Sequence, residues 1–223
     1  MSTNDLSLNP LYKAEGFCKI GSVIFGLLSL PIRNWQNIHW LLTFAASILG
    51  LIRQRGTPQF NREYLNVAVR SEFGGTIMYL LTIVFIRGPG PAFLFPVNLF
   101  YAIGIADFVH NGKVGLLLKF EKVRSVSSAI IQFKDQIKRG RAYCEFFLLF
   151  YILLMVILRQ LTILTLPIYF FFIKMRSITN PVNQSIQQTL QSELISLANS
   201  RSLPIAPYIT KFFELLGTKS NSN

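Results

Sequence analysis

What most constrains this chain is the pairing of its apolar stretches. Six stand out, at residues 16–32, 38–52, 73–86, 92–109, 143–158 and 161–173. Within each pair the connection is very short. Arg33 is the only basic residue of the first turn, Arg87-Gly88-Pro89-Gly90-Pro91 forms the second, and the third is little more than Arg159-Gln160. Long connections run between the pairs and hold most of the other Lys and Arg residues. Basic loops stay on the cytoplasmic side of a membrane, so the asymmetry puts all three turns on one face and both termini in the cytoplasm. The fold class expected is all-α: a polytopic membrane protein of about three helical hairpins with interfacial amphipathic helices.

Composition points the same way. Of 223 residues, 51% are hydrophobic and only 14% charged, with 20 Phe, which is too apolar for a soluble surface of this size. The formal net charge of +12 lies mainly in the loops. For a chain already in a bilayer, anionic lipid headgroups on the cytoplasmic face are the expected counter-charge, and nucleic acid is not expected. Cys18 and Cys144 have neither disulfide nor metal-ligand spacing. The polar N-terminus and Pro31 after the first stretch argue against a cleavable signal, so the first hairpin would serve as its own insertion signal.

The lengths leave two outcomes open. A straight helix needs about 20 apolar residues to cross a core about 30 Å thick. Residues 161–173 would cover only about 20 Å at ~1.5 Å per residue. Either flanking residues complete each span, with Arg87 and Arg159 snorkelling to the headgroups, or some hairpins enter partway as wedges that favour curved membrane. Lys19, Asp107 and Glu145 fall near the ends of stretches, where interfacial hydration suffices, and His39 and His110 are read as flanking residues. Trp35 and Trp40 suit an interfacial belt.

Residues 116–139 carry apolar side chains on one helical face, at Leu116, Phe120, Val123, Val126, Ile130, Phe133 and Ile137. The opposite face holds Lys119, Lys122, Arg124, Lys134, Lys138 and Arg139, with Glu121 and Asp135. A basic amphipathic helix in the headgroup plane and a bracing helix on the bundle are both compatible with this. Residues 58–72 repeat the pattern on a smaller scale, and Thr57-Pro58 should start that helix. In the tail, Ile186, Leu190, Leu194 and Leu197 line a helix whose polar face lacks Lys and Arg; Phe212 and Phe213 belong to a second short amphipathic segment. Membrane insertion and docking on protein both remain open for the tail. The expected division is a membrane domain over 1–176, with hairpins 16–52, 73–109 and 143–173 and amphipathic loops 58–72 and 116–139. A cytoplasmic amphipathic tail follows over 177–223.

No HExxH, CxxC, GxSxG or P-loop pattern occurs. No catalytic residue, cofactor or metal is therefore expected, and the chain is not read as an enzyme.

Short elements in a particular order complete the reading. Pro58-Gln59-Phe60 leads through Tyr64, Ala68 and Glu72 to Tyr79-Leu80 and Phe85; Phe95-Pro96-Val97 and Leu99-Phe100 follow. Then come Cys144-Glu145-Phe146-Phe147-Leu148, Pro167-Ile168-Tyr169, Arg176, Asn180-Pro181 and Glu193-Leu194. Over residues 58–195 the chain resembles the transmembrane protein 33 family of the endoplasmic reticulum and nuclear envelope, which includes fungal pore-membrane proteins. The first 50 residues match only in hydrophobic pattern. The resemblance implies a non-enzymatic role in shaping or organising those membranes, with reticulon-type tubule shapers or nuclear pore proteins as partners. Two other readings stand beside it. A small transporter or channel would use Asp107 and Glu145, and a membrane-anchored adaptor would recruit a soluble partner through its tail. Asn183-Gln184-Ser185 is the only glycosylation sequon, expected to stay cytoplasmic and unmodified.

Overall fold

Each apolar stretch of the sequence holds an α-helix among its described residues, although residues 29–30, 158 and 161–164 are turn or irregular. A computed structural model describes residues 10–30, 35–59, 61–84, 91–111 and 120–218. Among these residues there are ten α-helices, one 3-10 turn and no strand. The first pair is α1 (Pro10–Leu28) and α2 (Trp35–Arg55). Helix α2 stops at Gly56, whose φ of 79° suits a residue without Cβ, and its amide bonds the Ile52 carbonyl at 2.7 Å. The second pair is α4 (Glu72–Val84) and α5 (Leu94–Asn111), the latter entered through a 3-10 turn at Pro91–Phe93. The third is α7 (Lys134–Ile157) and α8 (Thr165–Thr179). Pro96 and Pro167 each stand in the first turn of their helix, where a missing N–H leaves no bond unmade.

The connecting and tail helices are α3 (Arg62–Arg70), α6 (Glu121–Gln132), α9 (Pro181–Ser200) and α10 (Ala206–Leu215). Two starts are set by asparagine. Asn61, rather than Thr57-Pro58, caps α3 by accepting the Tyr64 amide at 2.7 Å. Asn180 caps α9, accepting the Val182 amide at 2.9 Å, and Pro181 holds the first helical position. Of the two stretches expected as amphipathic helices, 58–72 holds α3 and ends close to its expected boundary, whereas 116–139 is divided. Ser71 separates α3 from α4, its hydroxyl donating to the Ala68 carbonyl and accepting the Gly74 amide. Phe133 separates α6 from α7, so the last basic residues of the 116–139 stretch begin the helix that carries residues 143–157.

The chain divides into two compact units, Met1–Leu81 with Gly88–Arg141, and Thr82–Arg87 with Ala142–Asn223. In the first, α1 packs along α2, and α5 packs on both α1 and α6. In the second, α9 packs on α8 and α10. The expected division at residue 176 falls within α8. Among the described residues α7 alone is long and apolar enough to cross a bilayer by length and composition, at 24 residues or about 36 Å; a shorter apolar helix runs over Leu94–His110. Charge keeps α1 out of that class, through Lys13, Glu15 and Lys19. Polar residues do the same for α2, notably His39, Arg53 and Arg55.

Candidate functional site

The packing of α1 on α2 buries polar and small side chains. On α1 the buried residues are Glu15, Gly16, Lys19, Ser22 and Gly26. On α2 they are His39, Thr43, Ala46, Ser47, Gly50 and Leu51. The outer faces carry Phe17, 62% exposed, and Leu41, 68% exposed, with Ile24, Leu27 and Phe44 also exposed. Hydrogen bonds tie the seam together. The His39 Nδ1–H donates to the Ser22 carbonyl at 2.7 Å, and the Ser22 and Thr43 hydroxyls lie 2.7 Å apart. From α5, the Tyr101 hydroxyl donates to the Thr43 carbonyl at 2.6 Å and accepts from Ser47 at 2.9 Å. His39, read from sequence as a flanking residue, is fully buried in this seam.

At the far end of the same seam lies a charge knot. The buried Glu15 carboxylate accepts from Lys19 and from Arg53, whose Nε is 2.6 Å away. Lys19 sits 5.0 Å from the Phe73 ring centroid, and Gly104 makes room for it: a Cβ there would lie 2.7 Å from Nζ. Arg53 faces the Tyr12 ring, whose hydroxyl is pushed above its ordinary pKa by partial burial against the opposing pull of Arg53. Interfacial hydration, expected for Lys19, is replaced by this ion pairing. Elsewhere in the first unit the buried Arg141 donates to Glu72 at 3.0 Å and to Thr76 at 3.2 Å, and covers the Phe100 ring at 4.6 Å.

In the second unit, Glu145 is 0% exposed, which corrects its reading as an interfacially hydrated carboxylate. It accepts from Arg176 Nε at 3.1 Å, Arg176 Nη2 at 3.4 Å and Asn183 Nδ2 at 2.9 Å, while its backbone carbonyl accepts from Tyr169 at 2.8 Å. One carboxylate thus joins α7, α8 and α9, and a carboxylate with three such donors needs no water. Of the family-motif positions, Glu145, Arg176 and Asn180 meet here, and Asn180 supplies the cap that aims Asn183. Pro58, Pro167 and Pro181 are exposed, Pro96 is buried and Cys144 is a half-buried free thiol. Phe60 lies outside the described residues.

The tail helices dock on this unit. Phe213 stacks on Phe146 at 5.7 Å, Phe212 meets Phe150 and Phe170 at 6.3 and 6.4 Å, and Thr218 donates to Gln187 at 3.0 Å. Of the apolar face expected on α9, Ile186 is buried and Leu190 half-buried, but Leu194 and Leu197 are exposed. Asn183, Gln187 and Gln191 take the inner positions, because that side of the helix serves the Glu145 and Thr218 hydrogen bonds.

The basic array is thinner than its sequence. Lys134 pairs with Asp107 at 3.3 Å and Lys138 lies 3.9 Å from Asp135, while Lys122, Arg124 and Arg139 are exposed. Lys119 lies outside the described residues. No group of metal-ligating side chains forms among those described.

Sequence reasoning missed Glu15, Arg53, Arg141, Tyr101 and Asn183. A signal existed for the seam: 15, 19, 22 and 26 on α1, and 39, 43, 46 and 50 on α2, follow spacings of four, three and four. Each is a stripe of polar or small residues within an apolar segment.

These features define an all-helical protein whose packing seams are polar and whose outer faces are apolar. The chain belongs to the Transmembrane protein 33/Nucleoporin POM33 family, whose profile matches residues 17–216, and that is a family of membrane proteins. The match extends the resemblance carried by residues 58–195 over nearly the whole chain. No curated protein and no solved structure matches the chain significantly.

Proposed function

We propose that this protein is a multi-pass integral membrane protein that shapes or organises endoplasmic-reticulum and nuclear-envelope membrane, with both termini cytoplasmic. The observation that carries the reading is the inverted distribution of α1 and α2. In water, burying Glu15, Lys19, Ser22 and His39 while exposing Phe17, Ile24 and Leu41 would forfeit the hydrophobic drive to pack. In lipid the apolar outer faces lose nothing, and small residues with interhelical hydrogen bonds are what hold helices together. The family's printed names, a transmembrane protein and a nucleoporin, support the same compartment. Packed as α1 and α2 are, such helices act as wedges or short spans, and anionic lipid is their first partner. Reticulon-type tubule shapers or nuclear pore proteins are the protein partners in this reading. Reconstitution into large liposomes at rising protein density should yield tubules or small vesicles, and unchanged liposomes would contradict the shaping role.

The adaptor reading keeps one supporting observation: Leu197, Ile205 and Tyr208 are exposed around the α9–α10 corner. Replacing the three by Ser should abolish partner recruitment if this corner is the docking surface, and leave it unchanged if it is not.

A further inference from the structure

We propose that the turn between α7 and α8 binds a lipid phosphate in the far leaflet, opposite the one where α7 begins, with Arg159 as the side chain that holds it. The inference rests on the membrane reading above and fixes the depth of one hairpin. Arg159 is the only charged residue between Glu145 and Lys174. The nearest acids along the chain are Glu145, buried in its own ion pair with Arg176, and Glu193. The backbone there is strained as well. Arg159 takes φ 58°, the left-handed conformation on which helices usually end with glycine. The Gln160 amide bonds the Met155 carbonyl at 2.9 Å and the Leu161 amide reaches the same oxygen at 3.3 Å, so α7 stops sharply. A residue with a Cβ is disfavoured in that conformation, and strain of this kind collects at binding sites.

Charge and continuity select lipid as the occupant. Ile157, Leu158, Ile163 and Leu164 flank Arg159 in the chain and are all exposed, Ile163 at 73% and Leu164 at 68%. This rim continues an exposed apolar line on α7, formed by Phe147, Phe150, Leu154 and Ile157 at spacings of three, four and three. The line belongs to the one described helix long and apolar enough to cross a bilayer. An apolar rim around a single cation calls for acyl chains and an anion together, and a phospholipid supplies both. From Ala142 to Leu158 the chain carries no charge but the sealed Glu145. Those residues rise about 26 Å as helix, a little short of a core about 30 Å thick. An arginine at the end closes such a gap by snorkelling to the headgroups. Length, charge and exposed faces thus agree on a tip at the far headgroups rather than a wedge ending among acyl chains.

The test uses the full chain, with Cys18 and Cys144 replaced by Ser, in phosphatidylcholine vesicles. A nitrobenzoxadiazole label is placed on Leu154→Cys or on Gln160→Cys. It is quenched with lipids that carry a nitroxide either on the headgroup or deep in the acyl chain. The Leu154 label should be quenched several-fold more by the acyl nitroxide, and the Gln160 label several-fold more by the headgroup nitroxide. Arg159→Gly, which suits the left-handed backbone, should shift the Gln160 label toward the acyl quencher, while Arg159→Lys leaves it in place. A Gln160 label quenched mainly by the acyl nitroxide with Arg159 present overturns the proposal, as does one that stays in place in Arg159→Gly. Water-like emission at both positions overturns it too. So does a shielded label that neither lipid quenches, which would mean coverage by protein. Alkaline extraction of the same vesicles separates the two levels. Protein retained with a misplaced tip overturns only the phosphate site, whereas protein released overturns the membrane reading itself.

Discussion

At the residue scale the decisive groups are the buried carboxylates Glu15 and Glu145, because each is paired with a cation on another helix. Glu145 is the clearest, since Arg176 and Asn183 both donate to it. Removing one partner of a buried pair leaves an uncompensated charge and costs about 3–5 kcal/mol. Arg176→Met should therefore sharply lower the thermal stability of the detergent-solubilised protein. The double change Glu145→Gln with Arg176→Met should recover much of that loss, because no charge is then stranded. Equal destabilisation of the single and double variants would mean that the pair itself is not what the site depends on. The same knot alters what the sequon can report. Asn183 Nδ2 is buried against Glu145, so a glycan there is incompatible with the folded tail on either side of a membrane. Little of this was legible in the sequence. Glu15 and Lys19 are four apart and could have been paired on paper, but Glu145, Arg176 and Asn183 come from three helices, and no local pattern links them.

Among the helices, legibility followed periodicity and failed where periodicity continued across a break. Each of the six apolar stretches holds a helix, but α7 begins at Lys134 rather than 143, α1 at Pro10 rather than 16, and α8 runs to Thr179 rather than 173. The start of α9 is set by Asn180-Pro181. The single helix expected over 116–139 did not hold, because its spacing of three and four runs unchanged across Phe133 while the backbone turns there. Helix faces were harder to read than helix positions. The α9 stripe of Ile186, Leu190, Leu194 and Leu197 looked apolar, yet the inner side is set by hydrogen bonds made with other helices. Two outcomes test the packing. Gly50 lies against the Phe73 ring with no room for a Cβ, so Gly50→Val should overpack the first unit at a cost of about 1–3 kcal/mol, read as a lower unfolding temperature. Phe213→Ala removes a ring stacked on Phe146 and should cost about 3–5 kcal/mol. Faster proteolytic release of residues 201–223 is the expected readout, and unchanged cleavage would show that α10 is held by something else.

For the whole molecule the question is which solvent the outer faces meet. Composition and hydropathy located the apolar segments correctly and suggested a bilayer, and the family match agrees with a membrane protein. Composition could not show that α1 and α2 turn their polar stripes toward each other, because one-dimensional hydropathy averages the two faces of a helix. Among the described residues α7 alone passes as a span by length and apolarity, because α1 and α2 carry charged and polar residues within their apolar segments and α4 and α8 are short. The inversion can be tested with nitroxide labels at Leu41 and, in the other unit, at Leu154, in the reconstituted full chain. Both side chains are exposed. Lipid-facing positions should relax strongly with oxygen, which partitions into the bilayer, and hardly at all with a water-soluble nickel complex. Strong relaxation by the nickel complex at both positions would place these faces in water and contradict the account.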